Sequence, residues 1–209
     1  MYLSNCLCCC RFPPNPYLGE NKERGQNGLY MYATSHSHIS NVVFENADFG
    51  VSMDSCSFNT IQNVTFISNR PTAPGTNAMA STYKGSKGIW LKGTFDVLVK
   101  DFSFTKNYKY ELLLSYFALG NVFTRGTTVD GTIELMYGAP YGNLFTDIDL
   151  GAATEPFGWV QRGQDMSSYN TFWNIRGTKA ITIPPTSWAP VVNWVDVRGA
   201  SMVSWVKTI

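Results

Sequence analysis

Two short runs near the start of the chain alternate apolar and other side chains in the same way: Gly28-Leu29-Tyr30-Met31-Tyr32 and Gly50-Val51-Ser52-Met53-Asp54. Ten residues after the second apolar position of each run stands an asparagine that opens another apolar stretch, Asn41-Val42-Val43-Phe44 and Asn63-Val64-Thr65-Phe66. A repeat of 22 residues lies within the range of periods that marks solenoids and other repeat architectures. The mark recurs at Asp101, Asn121, Asn143, Asn170 and Asn193, so that the successive intervals are 22, 38, 20, 22, 27 and 23 residues. The long interval contains the Pro/Gly/Ser/Ala-rich stretch from Pro71 to Ser86, which predicts a loop insertion at about 71–86 extruded from one turn.

Strands are predicted at Tyr30–Tyr32, Val51–Asp54, Ile89–Lys92, Glu111–Ser115 and Ile133–Met136. Strands this short, at this period and sharing one recurring corner residue, predict an all-β fold, a right-handed parallel β-helix of about seven turns. Its coils stack at about 4.8 Å, and the amides of one corner can stack on those of the next. A leucine-rich repeat would show Leu-x-x-Leu-x-Leu, which is absent, and a β-sandwich does not require one residue type at one corner. Neighbouring side chains of a strand point to opposite faces. Met31, Met53, Leu91, Leu114 and Leu135 are therefore expected inside. Tyr30, Tyr32, Ser52, Asp54, Trp90, Lys92, Glu111, Leu113, Ser115, Glu134 and Met136 are expected on the outer stripe. The seven marks are expected to form one stack.

Composition narrows the classes. The chain of 209 residues is long enough for one domain with a sizeable core, and its 14% aromatics with 18 Gly and 10 Pro suit strands and turns. A formal charge of +1 without a basic stripe gives no case for nucleic acid as a partner. No apolar run reaches the 18 or so residues of a membrane helix, and Met1 to Cys10 lacks the pattern of a signal peptide. Residues 1–27 do not fit the repeat and are expected to form an N-terminal arm or cap over residues 28–209, since an open solenoid end exposes strand edges and core.

Cys6, Cys8, Cys9 and Cys10 crowd the N-terminus and Cys56 stands alone, without the second pair that a structural zinc site requires. Disulfide bridges, buried thiols, a metal-bound or lipidated cluster and an inert tail all remain open. No metal site is expected at His36 and His38, which lack spaced partners. Asn63-Val64-Thr65 is a glycosylation sequon that also lies on the repeat's own corner, where the structural reading is preferred.

The runs Ala139-Pro140-Tyr141-Gly142-Asn143-Leu144-Phe145-Thr146-Asp147-Ile148-Asp149-Leu150-Gly151 and Asn170-Thr171-Phe172-Trp173-Asn174-Ile175-Arg176-Gly177 resemble bacterial right-handed parallel β-helix proteins of the pectin-lyase-like superfamily. The repeat pattern extends the resemblance over residues 28 to 206. It implies a secreted protein acting on or binding a polysaccharide, as a lyase or a glycoside hydrolase, with no cofactor. Relatives carrying the Ala-Pro-Tyr-x-Asn-Leu-Phe-Thr string have an Asp-His-His cluster just before it. Here Glu134-Leu135-Met136 stand there, so a carboxylate is kept and two histidines are lost.

A lyase needs a base for the proton next to a uronate carboxylate and a cation for the developing enolate. Lys92, with Arg125 and Arg162 if their loops fold back, could supply the charge and Tyr137 the proton shuttle. A hydrolase needs two carboxylates, about 5–5.5 Å apart for retention or about 6.5–9.5 Å for inversion. Glu111, Glu134 and Asp54 are the candidates. Tyr30, Tyr32 and Trp90 offer flat rings for sugar stacking. The alternative is a non-catalytic glycan-binding or structural subunit, in which a homo-oligomer or larger assembly covers the solenoid ends.

Overall fold

The computed structural model describes residues 2–3, 8–19, 25–71, 82–157, 168–185, 187, 191–200 and 205–207. Strands are numbered along the chain. One sheet is built from β3 (Asn27–Tyr32), β5 (Phe49–Asp54), β7 (Lys87–Lys92), β9 (Tyr110–Ser115) and β11 (Ile133–Met136), all parallel. A second sheet holds β1 (Tyr2–Leu3), β2 (Cys8–Arg11), β4 (His38–Glu45), β6 (Thr60–Ile67), β8 (Leu98–Phe104), β10 (Val122–Thr127), β12 (Leu144–Asp149), β13 (Thr171–Arg176), β14 (Asn193–Val197) and β15 (Trp205–Lys207). Its pairings are parallel except that of β14 with β15. Between the sheets runs a narrow wall, marked by the parallel bridges Ser35 to Ser57, Ser57 to Phe95, Phe95 to Leu119 and Leu119 to Tyr141. The fold is a parallel β-solenoid of about six turns, one fewer than the seven marks suggested.

Three corners close each coil, and each places a residue in the left-handed region. Ala33, Ser55, Gly93, Tyr116 and Tyr137 follow the first sheet, with φ of 50° to 55°. His36, Phe58, Asp96, Gly120, Gly142 and Tyr169 lead into the second sheet, with φ of 51° to 68°. Asn41, Asn63, Asp101, Arg125, Asp147, Asn174 and Asp196 bend the second sheet's strands, with φ of 50° to 57°. Asn and Asp tolerate this conformation better than most side chains because they can hydrogen-bond locally. Seven passages of this last corner delimit six complete coils, which accounts for the difference in turn count.

The expected single asparagine stack is in fact two. Asn41, Asn63 and Asp101 lie in the bend column, and the Asn63 side-chain amide donates to Asn41 Oδ1 at 2.6 Å. Asn121, Asn143 and Asn170 lie four residues earlier in their coils, in a buried column shared with Asn59. There Asn143 Oδ1 accepts from the Asn121 backbone N–H at 3.0 Å, and Asn170 Oδ1 accepts from the Asn143 N–H at 2.9 Å. Asn193 belongs to neither column: it aligns with Thr171 and donates to its hydroxyl.

The interior is filled by aromatic ladders that change position part-way down. Phe44, Phe66 and Phe104 stack in the upper coils, with centroids 5.1 Å and 4.2 Å apart. Gly28, Gly50 and Gly88 make room for them, since a Cβ at each would come closer than 3.0 Å to the ring sixteen residues on. From Phe123 the stack continues through Phe145, Phe172 and Trp194 in the column occupied above by Ile39, Ile61 and Val99. Gly126 leaves space for Phe102 at the crossover. Burying such rings supplies the main driving force of a solenoid core.

The inner set is enclosed as expected from Met53 to Leu135, whereas Leu29 and Met31 in the first coil are only half-buried. Within the segment expected as an arm, β2 adds to the second sheet by pairing Cys8–Arg11 with Val42–Glu45. The following residues are pinned by Arg70, whose guanidinium is ion-paired with buried Asp48, donates to the Asn15 carbonyl at 2.6 Å and lies 5.6 Å over the Tyr17 ring. Cys9 and Cys56 are free thiols, Cys9 exposed and Cys56 buried, while Cys6 lies outside the described residues. Of the predicted loop, residues 72–81 lie outside the described residues, and its flanks join β6 to β7. Among the described residues no helix is long and apolar enough to cross a membrane.

Candidate functional site

Register fixes two outward columns on the first sheet. Tyr30, Ser52, Trp90, Leu113 and Glu134 form one, and Tyr32, Asp54, Lys92, Ser115 and Met136 the other. At the N-terminal end Tyr30 and Tyr32 are 65% and 64% exposed. Further along, Trp90 packs with Tyr110, Leu113 and Met136 in a satellite cluster, and its indole N–H donates to Ser115 Oγ at 2.8 Å. The expectation of an open stripe therefore fails over its second half. Leu113, Ser115 and Met136 occupy outward positions but are covered, and Glu134 keeps only 9% of its surface.

Asp54 and Lys92 pair across adjacent coils at 2.7 Å. The Lys92 ammonium donates to the Asp54 carboxylate, which lowers the carboxyl pKa below its ordinary value and raises that of the lysine. The pair is partly exposed, so it contributes about 0–1 kcal/mol to stability. Lys92 also lies 5.3 Å over the Tyr116 ring, tying the sheet to the adjoining wall.

Glu111 corrects the predicted strand phase. It occupies the place in β9 that Gly28, Gly50 and Gly88 hold in the coils above, at the level where the upper phenylalanine ladder ends, and it is completely buried. One carboxylate oxygen accepts from the Tyr108 backbone N–H at 2.9 Å. The other accepts from the Thr132 N–H at 2.9 Å and its hydroxyl at 2.6 Å. Burial pushes its pKa up to about 8 against these three donors, which favour the charged form. Strict alternation misplaced it because positions 111 and 112 both face inward, as Gly and the next apolar residue do in the earlier coils.

Arg125 is likewise not on the stripe. It lies in β10 of the second sheet and makes a bidentate pair with Asp101 in the neighbouring coil at 2.7 and 2.9 Å. Arg162 lies outside the described residues. Tyr137 sits at the first corner, 55% exposed, with its ring 6.0 Å from that of Tyr116. The structure thus brings together Tyr30, Tyr32, Asp54 and Lys92 and places Tyr137 at the sheet's margin, but separates Glu111 and Arg125 from them.

The wall beside the sheet carries exposed rings that strand alternation did not identify: Phe58, Phe95, Tyr116, Phe117 and Tyr141. Their signal in the sequence is position, since they fall between the first-sheet strands and the second-sheet strands, where Cys56, Val97 and Ala118 turn into the core and leave the neighbouring rings outside. His36 stacks on Phe58 at 5.4 Å. Searches against family models, curated proteins and solved structures returned no match for this chain.

Proposed function

We propose that this chain is a secreted polysaccharide-binding β-solenoid, related to the pectin-lyase-like superfamily, whose task is recognition rather than bond cleavage. The observation that carries this reading is the fate of the acid–base candidates. Glu111 is enclosed, Glu134 is largely covered, Asp54 is held by Lys92, and only Tyr137 stands open among the four. Among these described candidates no two carboxylates stand open for a hydrolase, and a lyase finds Lys92 already paired with a carboxylate. What stays accessible is a rigid sheet end bearing two tyrosine rings, suited to stacking on sugars.

The test is a glycan panel of neutral and acidic polymers, scored separately for binding and for new reducing ends or unsaturated products. Binding that weakens in Tyr30→Ala and Tyr32→Ala, with no products, is expected. Turnover that disappears in Glu134→Gln while binding persists would establish the enzyme instead. Failure to bind any polymer, with these rings buried against another protein, would leave an assembly subunit.

A further inference from the structure

The wall between the two sheets combines bulky side chains at left-handed corners with exposure of their rings. Phe58, Tyr116, Phe117 and Tyr137 have φ of 53°, 54°, 62° and 55°, a region that bulky side chains enter at a cost of about 1–2 kcal/mol each. Other coils meet the first of these corners with the smaller Ala33, Ser55 and Gly93, and the second with His36, Asp96, Gly120, Gly142 and Tyr169. The rings are also turned to solvent: together with Phe95 and Tyr141 their exposure ranges from 41% to 60%, so core burial does not offset the strain. Strained positions kept with exposed aromatic side chains point to a surface with a binding task.

Charge and geometry select the ligand. The wall segments 33–37, 55–59, 93–97, 116–121 and 137–143 contain no Lys or Arg and a single carboxylate, Asp96. Lys92, at the margin, is taken by Asp54. A polyuronate would therefore meet no unpaired cation on this strip, whereas an uncharged pyranose chain needs only flat apolar faces and hydroxyl partners. Exposed rings occur on four successive coils at staggered positions: Phe95 and Tyr141 share a column with Leu119 between them, Tyr116 and Tyr137 are neighbours with centroids 6.0 Å apart, and Phe58 follows Ser57 of the Phe95 column. The coil rise of about 4.8 Å is close to the advance of one residue in an extended pyranose chain.

Resting on the polysaccharide reading above, we infer that the wall binds a neutral glycan lying parallel to the solenoid axis, one sugar to a coil, from Tyr141 and Tyr137 past Tyr116 and Phe95 to Phe58. The test is calorimetric titration of the intact chain with cellohexaose, mannohexaose and a hexameric oligogalacturonate. Neutral hexasaccharide binding is expected to fall about tenfold in Tyr116→Gly/Tyr137→Gly and in Phe95→Ala/Phe117→Ala, and to be insensitive to salt. Trp173→Ala, on the second sheet, is expected to leave it unchanged. Because glycine removes the left-handed strain, Tyr116→Gly/Tyr137→Gly should keep or raise its Tm while losing affinity, which separates a binding defect from a folding defect.

Affinity lost in Tyr30→Ala/Tyr32→Ala but retained in all wall variants would overturn this inference and leave the glycan-binding function standing. Preference for oligogalacturonate, weakened by salt, would overturn the neutral class. Absence of binding to every glycan, neutral or acidic, would remove both. Self-association that the wall variants abolish, with no glycan bound, would make the strip an interface between copies and overturn the inference.

Discussion

Two columns of polar residues cross successive coils and solve opposite problems, in part with the same amide. In the enclosed column Asn121, Asn143 and Asn170 pass hydrogen bonds from coil to coil and satisfy backbone groups that water does not reach. In the bend column, Asn41 and Asn63 are followed by Asp101, Arg125, Asp147, Asn174 and Asp196, and the shared property is a left-handed backbone. The first column demands one hydrogen-bonding geometry and tolerates little. The second demands a backbone conformation and accepts several side chains. Buried polar groups are expensive to orphan, while partly solvated ones have water as an alternative partner.

Asn143→Ala should therefore produce the largest loss. Asn143 Oδ1 accepts from the Asn121 N–H and side-chain amide, and its own amide donates to the Ala118 and Tyr141 carbonyls and to Asn170 Oδ1. Denaturant unfolding should show a loss of about 2–4 kcal/mol. A loss no greater than that of a bend-column substitution would remove the distinction between the columns.

Glu111 extends the enclosed class to a titrating group. Folded Glu111 keeps its proton up to about pH 8, against an ordinary value of 4.5 in the unfolded chain. Between these pH values the folded state binds more protons, so its contribution is most favourable below about pH 4.5, falls as pH rises, and levels off above 8. The slope inside the window approaches about 1.4 kcal/mol per pH unit. Glu111→Gln should flatten it, as read from unfolding free energies at several pH values. An unchanged slope would assign the dependence to other groups.

In the bend column, Asn63→Ala should lose about 1 kcal/mol because alanine is strained at φ 51°. Asn63→Gly should be close to neutral, and the pair of Tm values separates backbone strain from loss of the hydrogen bond to Asn41. The smallest effect belongs to the solvated ion pair. Lys92→Met should change stability by less than about 1 kcal/mol, diminishing with salt. A larger, salt-independent loss would show that the pair behaves as an enclosed one.

The same contrast explains what the sequence made legible. Repeat period, parallel β-solenoid and most of the inner face followed from Gly28 to Tyr32, its copy at Gly50, and the recurring asparagine. Register in the lower coils did not, because Asn121, Asn143 and Asn170 also open apolar stretches, although their phenylalanines follow two residues on rather than three as at Asn41 and Asn63, and they lie four residues away in the coil. Glu111 was misread because a period of two cannot register two successive inward residues at a corner. Tyr30, Tyr32, Asp54 and Lys92 were legible as a group on one outer face, whereas the aromatic wall lies at turns to which strand periodicity assigns no face.

Recognition without cleavage is tested most directly by incubating the protein at stoichiometric amounts with a polymer it binds and sizing that polymer by light scattering after prolonged contact. Co-elution of protein with polymer of unchanged length is the predicted result. Progressive shortening of the polymer, abolished by Glu134→Gln, would contradict it.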